Sequence, residues 1–452
     1  MTAESLRRAQ QKMTNAGVAA EAIEVFSHYF SLLEAGEAGL IQEESIEPYV
    51  DPASSTDLHY PFSAQAEALA KTALIKLNGG LGTSMGLDRA KTLLPVAEGQ
   101  TFLDLIAKQT LYARSRFDAR LPLVFMNSYR TDHDTLRYLS RYADLAIDGI
   151  PLSFLQSKEP RLDASTLEPV SWPSDPEAEW CPPGHGDLYV SLLTSGLLDL
   201  LIREGFEFAQ VSNGDNLGAT PDPDLAAWFA DTGAAFAMEI CRRTPNDRKG
   251  GHLARRIADG ALVLRESAQT DPEDIATFED IDRHRYFNTN TIWLNLPALK
   301  AALQERSSVL GLPMIRNTKT VDVTDPNSPQ VIQVETAMGS AIEVFENATA
   351  IEVPRSRFLP VKTTNELLLL RSDLYVISED GSLRATTTST PEITLNKRDY
   401  GHINDFEALI PQAPSLRDAT SLQVLGKWRF EPGARVTGDV VLGPEGGVVL
   451  PD

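Results

Sequence analysis

From residue 73 onward, short apolar runs alternate with stretches of helical periodicity. Residues 73–77, 121–126, 208–211, 235–240 and 291–294 are rich in aliphatic and aromatic side chains, the pattern of strands in a covered sheet. The alternation predicts an α/β chain with a mostly parallel, doubly wound sheet, whose ligands sit outside the carboxyl ends of the strands. Ahead of this region, residues 4–35 place Ile23, Phe26, Phe30 and Leu33 at helical spacing and predict an amphipathic helix docked on the main body. Behind it, Phe430, Val436, Leu442 and Val448 recur at every sixth position among glycines, the period of hexapeptide β-helix repeats. So few hexads build about one coil, which must lean on the central body or on another subunit. The organisation expected is a helical arm over 1–70, a central α/β domain over 71–400 and a short, left-handed β-helix-like region over 401–452.

The most informative stretch is ALIKLNGGLGTSMGLDRAKTLLPV, residues 73–96. An apolar strand broken only by Lys76 runs into a loop where Gly79, Gly80, Gly82 and Gly86 free the backbone, and Lys91 follows. Exposed N–H groups in such a loop can face phosphate oxygens, more strongly where a helix begins just beyond and adds its positive end. Neither Gly-Lys-Ser/Thr nor G-x-G-x-x-G occurs here, so neither a P-loop nor a dinucleotide fold is indicated. Taken alone, a glycine turn that merely permits tight packing reads the same way.

The chain has 452 residues, enough for one large α/β core plus a smaller unit. A formal net charge of −22 argues against non-specific binding to nucleic acid or anionic lipid, which needs a basic surface. An acidic protein with an anionic substrate must gather its cations at one place, as lysines or as bound Mg2+. Cys181 and Cys241 form no C-x-x-C pair, which argues against a disulfide framework or structural zinc and for a reducing, cytoplasmic setting. The opening MTAESLRRAQQKM lacks the apolar core of a signal peptide, and no stretch reaches membrane-spanning length.

Further along, CPPGHGDLY at residues 181–189 stiffens the chain with paired prolines and flanks His185 with glycines, allowing close approach of a ligand. His185 suits a hydrogen bond to phosphate, with Gly184 offering its backbone. VSNGDNLGA sets Asn213, Asp215 and Asn216 just after the apolar run that ends at Val211. Asp215 is the metal candidate, because nucleotide-bound Mg2+ takes one or two carboxylates and completes its shell with phosphate oxygens and water. An Asx turn capping the next helix explains the same letters. In NTNTIWLNL, Asn288 and Asn290 precede an apolar strand and offer amides to sugar hydroxyls, or simply form a turn. VPRSRFLPVKTTNELL gathers Arg355, Arg357 and Lys362 before a helix starting near Asn365, which reads as an anion site or as a solvated loop. The histidines show no H-E-x-x-H spacing and no G-x-S-x-G elbow occurs, so hydrolase readings lack a nucleophile.

Taken in order, LNGGLGTSMG with Lys91, FLQSKEPR, PPGHGD, VSNGDNLGA, FNTNTIW and VPRSRFLPVKTTNELL resemble the eukaryotic-type UTP:glucose-1-phosphate uridylyltransferases over residues 73–375. The loop is unlike that of UDP-N-acetylhexosamine and broad UDP-sugar pyrophosphorylases, which usually begins Ala-Gly-Gly and carries Arg or Glu near the position of Ser84. The resemblance implies a Rossmann-like, GT-A-like nucleotidyltransferase domain that makes UDP-glucose and pyrophosphate from UTP and glucose 1-phosphate, with Mg2+ as cofactor. Carried over motif by motif, Leu77, Asn78, Gly79 and Gly80 would embrace the nucleotide, and Gln156 with Gly184 would read uracil. His185, Asn213, Gly214 and Asn290 would form the sugar-phosphate side, and Asp215 would hold Mg2+ against the phosphates. Lys91 and Lys362 would be the catalytic cations, neutralising the triphosphate and the charge at its α-phosphorus.

The chemistry agrees with that assignment. A phosphate monoester has a second pKa of about 6, so glucose 1-phosphate is already a dianionic nucleophile and needs no general base. The task is to bring one anion against another, by positioning and electrostatic stabilisation. Departures from the family pattern are the short tail, which leaves a homo-oligomer open, AQTD at residues 268–271 in place of an Ala-Gln-Val-Pro-like run, and NTNT in place of Asn-Thr-Asn-Asn. Rival readings are a pyrophosphorylase for galactose 1-phosphate or an N-acetylhexosamine 1-phosphate, and a non-catalytic UDP-sugar sensor. The joint presence of Lys91, Asp215 and Lys362 favours turnover.

Overall fold

The computed structural model describes residues 2–37, 39–322, 325 and 327–451. The architecture is mixed α/β with a large, mostly parallel central sheet, as the alternation of apolar runs predicts. The chain folds as two compact units: one comprises Met1–Ile75, Phe154–Val211 and Pro223–Val353, the other Lys76–Ser153, Ser212–Asp222 and Pro354–Asp452. Among the described residues, no helix is long and apolar enough to cross a membrane.

In the first unit, Thr349–Glu352 pairs parallel with both Phe236–Arg242 and Ala53–Ser54, and Tyr286–Asn295 runs antiparallel to Phe236–Arg242. Tyr286–Asn295 begins before the apolar run that announces it, so Asn288 and Asn290 lie inside a strand and not ahead of one. Polar residues fit there because the ladder is broken: Glu239 faces Thr291 while Ile240 faces Asn288, leaving Thr289 and Asn290 in a bulge.

The amphipathic arm is two helices, Thr2–Asn15 and Ala20–Glu34, where one is expected. Gly17, at a φ of 73°, breaks the first, and extended Ala19 starts the second. Ala9 and Met13 from one helix and Phe26, Tyr29, Phe30 and Leu33 from the other close a core over Leu162, Met314, Ile332 and Val334, with Ile23 packed at its edge.

The segment that follows this arm is tied down by a buried polar cluster. Ile46–Pro48 pairs with His252–Arg256. Arg265, fully buried, binds Glu43 at 2.6 Å and Asp274 at 2.8 Å, while Glu43 also accepts from Arg283 and faces His284 Nε2 at 3.0 Å. His252 stacks on His284 with ring centres 3.8 Å apart, and neither nitrogen of His252 meets a hydrogen-bond partner among the described residues.

Burial pushes both imidazoles below their ordinary pKa, His252 well below. Burial pushes Glu43 the other way, but its bonds from Arg283, His284 and Arg265 prevail and hold its carboxyl below the usual range. A histidine with a lowered folded pKa binds fewer protons folded than unfolded, so its contribution to stability is lost as pH falls below about 6.5. Protonation of Glu43 at still lower pH acts in the same direction.

The second unit carries the end of Thr72–Asn78, the strand Leu123–Asn127 and the helix Phe102–Phe117, which Thr101 and Asp104 close with a capping box. No α-helix opens directly beyond the glycine loop. Short 3-10 turns at Thr83–Met85 and Lys91–Leu93 come first, and the next α-helix is Phe102–Phe117, so the loop does not lie at a helix N-terminus. Towards the carboxyl end, Glu392–Leu395, Ser415–Val424 and Arg435–Leu442 stack in parallel, and Trp428–Phe430 pairs parallel with Gly447–Val449. Of the hexad positions, Phe430 and Val436 are buried, Leu442 is half-buried and Val448 is 50% exposed. The pattern fills an interior only in its first half.

The cluster around Glu43 generates a pH prediction. From pH 7 to pH 5 this cluster lowers the melting temperature, and His252→Phe, which keeps a ring against His284 and Phe278 without a titratable nitrogen, removes part of that loss, so the variant's melting temperature rises relative to the parent's as pH falls. Thermal unfolding at several pH values checks this, and an unchanged slope in the variant contradicts it.

Candidate active site

The glycine loop is built on a locked asparagine. Asn78, buried at the end of its strand, donates through Nδ2 to Asn127 Oδ1 at 2.8 Å and to Thr135 Oγ1 at 2.9 Å. Its Oδ1 accepts from the Thr92 hydroxyl at 2.7 Å, and its carbonyl accepts from the Thr131 hydroxyl at 2.8 Å. With these polar atoms engaged, the Asn78 side chain serves the loop's shape, and what it can offer a ligand is the neighbouring backbone. Ser128 donates to the Gly79 carbonyl at 3.1 Å, and the Lys91 N–H closes the loop onto the Gly80 carbonyl at 3.3 Å. Gly80 is exposed, with no atom within 4 Å of where a Cβ would stand. Gly82 is glycine of necessity: its φ is 67°, and a Cβ would meet Leu87 Cδ1 at 2.8 Å.

The Asp215 turn sits against this loop. Gly214 N–H donates to the Leu77 carbonyl at 2.8 Å, and a Cβ on Gly214 would stand 3.0 Å from that same oxygen. Lys76, buried in the strand, reaches Ser212 Oγ at 2.7 Å and the Ala219 carbonyl at 2.8 Å, so it holds both shoulders of the turn. The Asp215 carboxylate meets Lys91 Nζ at 2.7 Å, with both side chains mostly buried. The Asx turn expected here belongs to Asn216, whose Oδ1 accepts from Gly218 N–H at 3.2 Å. The same oxygen accepts from Leu359 N–H at 2.8 Å, and Asn216 Nδ2 donates to the Arg357 carbonyl at 3.1 Å.

That clamp brings in Lys362. Val361 N–H donates to the Asp215 carbonyl at 3.3 Å, and exposed Lys362 is the next residue, just before the helix Thr364–Arg371. The cationic trio read from the sequence does not act together. Arg357 is buried and pairs with Asp222 at 3.2 Å, and Arg355 lies over the Phe358 ring, which leaves Lys362 beside Asp215. The second unit thus brings Leu77, Asn78, Gly79, Gly80, Lys91, Asn213, Gly214, Asp215 and Lys362 onto adjoining strand ends and loops.

The remaining sequence candidates, Gln156, Gly184, His185 and Asn290, belong to the first unit. Gln156 lies half-buried just past Ser153–Leu155. Asp187 Oδ2 ties its loop to that of His185, accepting from Ser157 N–H and the Ser191 hydroxyl at 2.6 Å each. Gly184, at a φ of 81°, presses on the Thr336 backbone so closely that a Cβ would lie 2.6 Å from its carbonyl oxygen. His185 Nδ1 accepts from Met338 N–H at 2.9 Å. A backbone N–H only donates, so the proton of the neutral ring is on Nε2. Burial pushes the His185 pKa down to about 4, which leaves the ring uncharged at neutral pH and able to donate from Nε2. Asn290, at a φ of 55°, is held in the bulge by Asn288, which donates to its side-chain oxygen at 2.9 Å and accepts from its N–H at 2.8 Å.

The sequence reading missed Thr92, Asn127, Ser128, Thr131 and Thr135, which lock Asn78 and Gly79, and Met338, which orients His185. The one visible signal is the polar pair Asn127-Ser128 at the end of an apolar run. The bulge generates a prediction: Asn290→Ala lowers stability by about 1–2 kcal/mol through the cost of the left-handed backbone, and Asn290→Gly loses less. Denaturant unfolding of the two variants checks this, and equal losses contradict it.

Comparison with known proteins places these loops in a family. The profile described as UTP–glucose-1-phosphate uridylyltransferase matches residues 23–437. The chain is 42% identical over 378 residues to UTP–glucose-1-phosphate uridylyltransferase of Saccharomyces cerevisiae, covering 83% of this chain and 74% of that protein. It is 36% identical over 445 residues to the Encephalitozoon cuniculi protein of the same name, covering 98% and 86%. Among solved structures, a mutant of UDP-glucose pyrophosphorylase from Leishmania major in complex with UDP-glucose is similar with a TM-score of 0.92 and 40% identity, over 99% of this chain and 97% of that one. With glycine loop, paired lysine and carboxylate, and histidine loop all lying within the matched residues, the chain belongs to the UTP–glucose-1-phosphate uridylyltransferase family.

Proposed function

We propose that the chain transfers a uridylyl group from UTP to glucose 1-phosphate, forming UDP-glucose and releasing pyrophosphate, in a reversible reaction. The observation that carries this reading is Lys91 paired with Asp215 at the mouth of the glycine loop, with Lys362 tethered alongside through Val361. Leu77, Gly79 and Gly80 would bind the nucleotide through backbone groups, with Asn78 shaping the loop. Gln156 and Gly184 would read uracil, and His185, Asn213, Gly214 and Asn290 would meet the sugar phosphate. Neutral His185 would donate Nε2–H to a phosphate oxygen without adding charge.

Mg2+ fits the donor available. Asp215 offers a partly buried hard carboxylate oxygen, enough for a cation whose other ligands are phosphate oxygens and water. When bound, the ion would neutralise phosphate charge at the triphosphate. Lys91 would exchange its carboxylate partner for the nucleotide, and Lys362 would stabilise charge developing at the α-phosphorus. No general base is needed, because the attacking phosphate is already ionised.

The same reading treats residues 71–400 as the catalytic domain and 401–452 as a short left-handed β-helix, supported by the parallel stacking of Ser415–Val424 on Arg435–Leu442, to which Glu392–Leu395 adds a strand from the catalytic side of that boundary. Cys181 and Cys241, both buried and outside any disulfide, and the acidic composition support a cytoplasmic enzyme with small-molecule substrates, no nucleic-acid partner and no membrane partner. Self-association through the tail would be one use of the apolar surface at Val441, Val448 and Leu450.

Two measurements test this function. Pyrophosphate release with Mg2+ is expected from UTP and glucose 1-phosphate, and not from the other nucleoside triphosphates or from N-acetylglucosamine 1-phosphate; release with a different pair moves the substrate assignment. Lys91→Ala and Lys362→Ala are each expected to lower kcat by on the order of 100-fold or more while melting near the parent, and near-normal turnover removes their assigned role.

A further inference from the structure

The segment Thr336–Gly339 lies behind both groups assigned to the sugar phosphate in the first unit. Met338 is held at both of its backbone polar groups: its N–H donates to His185 Nδ1 at 2.9 Å, and its carbonyl accepts from the Tyr189 hydroxyl at 2.6 Å. Tyr189 is 2% exposed and lies in the helix Leu188–Thr194, directly after the turn His185–Asp187. Gly184 and Gly186 press on Thr336, where a Cβ on either would stand less than 3 Å from its atoms. At the other end of the segment, Gly339 leaves no room for a side chain. A Cβ there would lie 2.7 Å from Asn288 Nδ2, the amide nitrogen that donates to Asn290 Oδ1.

We propose that the turn at Met338–Gly339 is the positioning element of the sugar-phosphate side, and that Tyr189 is its positioning residue. By fixing the Met338 carbonyl, Tyr189 keeps the Met338 N–H aimed at His185 Nδ1, which holds the His185 proton on Nε2, where the substrate phosphate needs a donor. Gly339, in contact with Asn288, keeps Asn290 in register with His185. Tyr189 is 2% exposed and its hydroxyl is engaged by the Met338 carbonyl, so it acts through Met338. This inference rests on the reading of His185 as a phosphate contact.

Tyr189→Phe, compared with the parent and with His185→Ala, tests it. Steady-state kinetics on the whole enzyme are expected to show the KM for glucose 1-phosphate raised by roughly tenfold, the scale of one misaligned hydrogen bond, with the KM for UTP unchanged. Nitrogen-15 NMR of the imidazoles is expected to show the His185 Nε2–H tautomer in the parent and a shift towards a tautomer mixture in Tyr189→Phe. A packing role alone would not move the tautomer. Gly339→Ala, which disturbs the same turn from the Asn288 side, is expected to raise the same KM and serves if Tyr189→Phe fails to fold. If His185→Ala leaves the KM for glucose 1-phosphate unchanged, the reading of His185 fails and the inference with it. If His185→Ala raises that KM while Tyr189→Phe and Gly339→Ala alter neither KM nor tautomer, His185 keeps its role and the positioning turn is overturned.

Discussion

One close backbone approach organises the second unit: Gly214 N–H on the Leu77 carbonyl at 2.8 Å, so close that a Cβ on Gly214 would stand 3.0 Å from that oxygen and from Thr92 Cγ2. It seats the Asp215 turn on the strand that feeds the glycine loop. Lys91, emerging from that loop, can then meet Asp215, and Asn216 can clamp the segment that delivers Lys362. A side chain at position 214 would press on the Leu77 carbonyl and on Thr92 Cγ2, each 3.0 Å from its Cβ, and would strain this junction. The buried Lys76 and the locked Asn78 reinforce the same junction from within the strand.

The electrostatics follow from that junction. A strongly acidic protein that joins two polyanions cannot rely on a general positive field. It pairs one cation, Lys91, with the Asp215 carboxylate, a partner that under the proposed function the substrate would replace, and holds Lys362 on the exposed segment that the Asp215 turn clamps. The donor proposed for the sugar phosphate, His185, is a neutral imidazole whose proton is placed by a backbone N–H. Burial, which keeps His185 uncharged, and Met338, which assigns its tautomer, act together there.

How much of this was legible in the sequence depended on whether a group acts through its own chemistry or through a neighbour's. Glycines at positive φ, apolar strand runs and a lysine after the loop announce themselves, and the structure brings Lys91, Asp215 and Lys362 together as the motifs suggest. Asn78 reads as a ligand contact, yet its amide is consumed by Thr92, Asn127 and Thr135, residues remote in the chain that no local pattern connects to it. Arg357 reads as an anion binder and is instead spent on Asp222, because pairing depends on tertiary neighbours. Asn288 and Asn290 read as polar residues ahead of a strand, and not within it, because a bulge interrupts the alternation that marks a strand. The break in the arm at Gly17 was written in the sequence, but helical spacing on either side of it concealed the turn.

The central claim is that Asp215 is charge-paired with Lys91 at rest and serves the cation when nucleotide binds. The most direct test is turnover of Asp215→Asn as a function of Mg2+ concentration, with UTP binding measured alongside in the absence of Mg2+. The account predicts that the variant loses the Mg2+-dependent part of turnover while its Mg2+-free affinity for UTP is undiminished, because Lys91 is released to the nucleotide. A variant that retains the full Mg2+-dependent rate would contradict it.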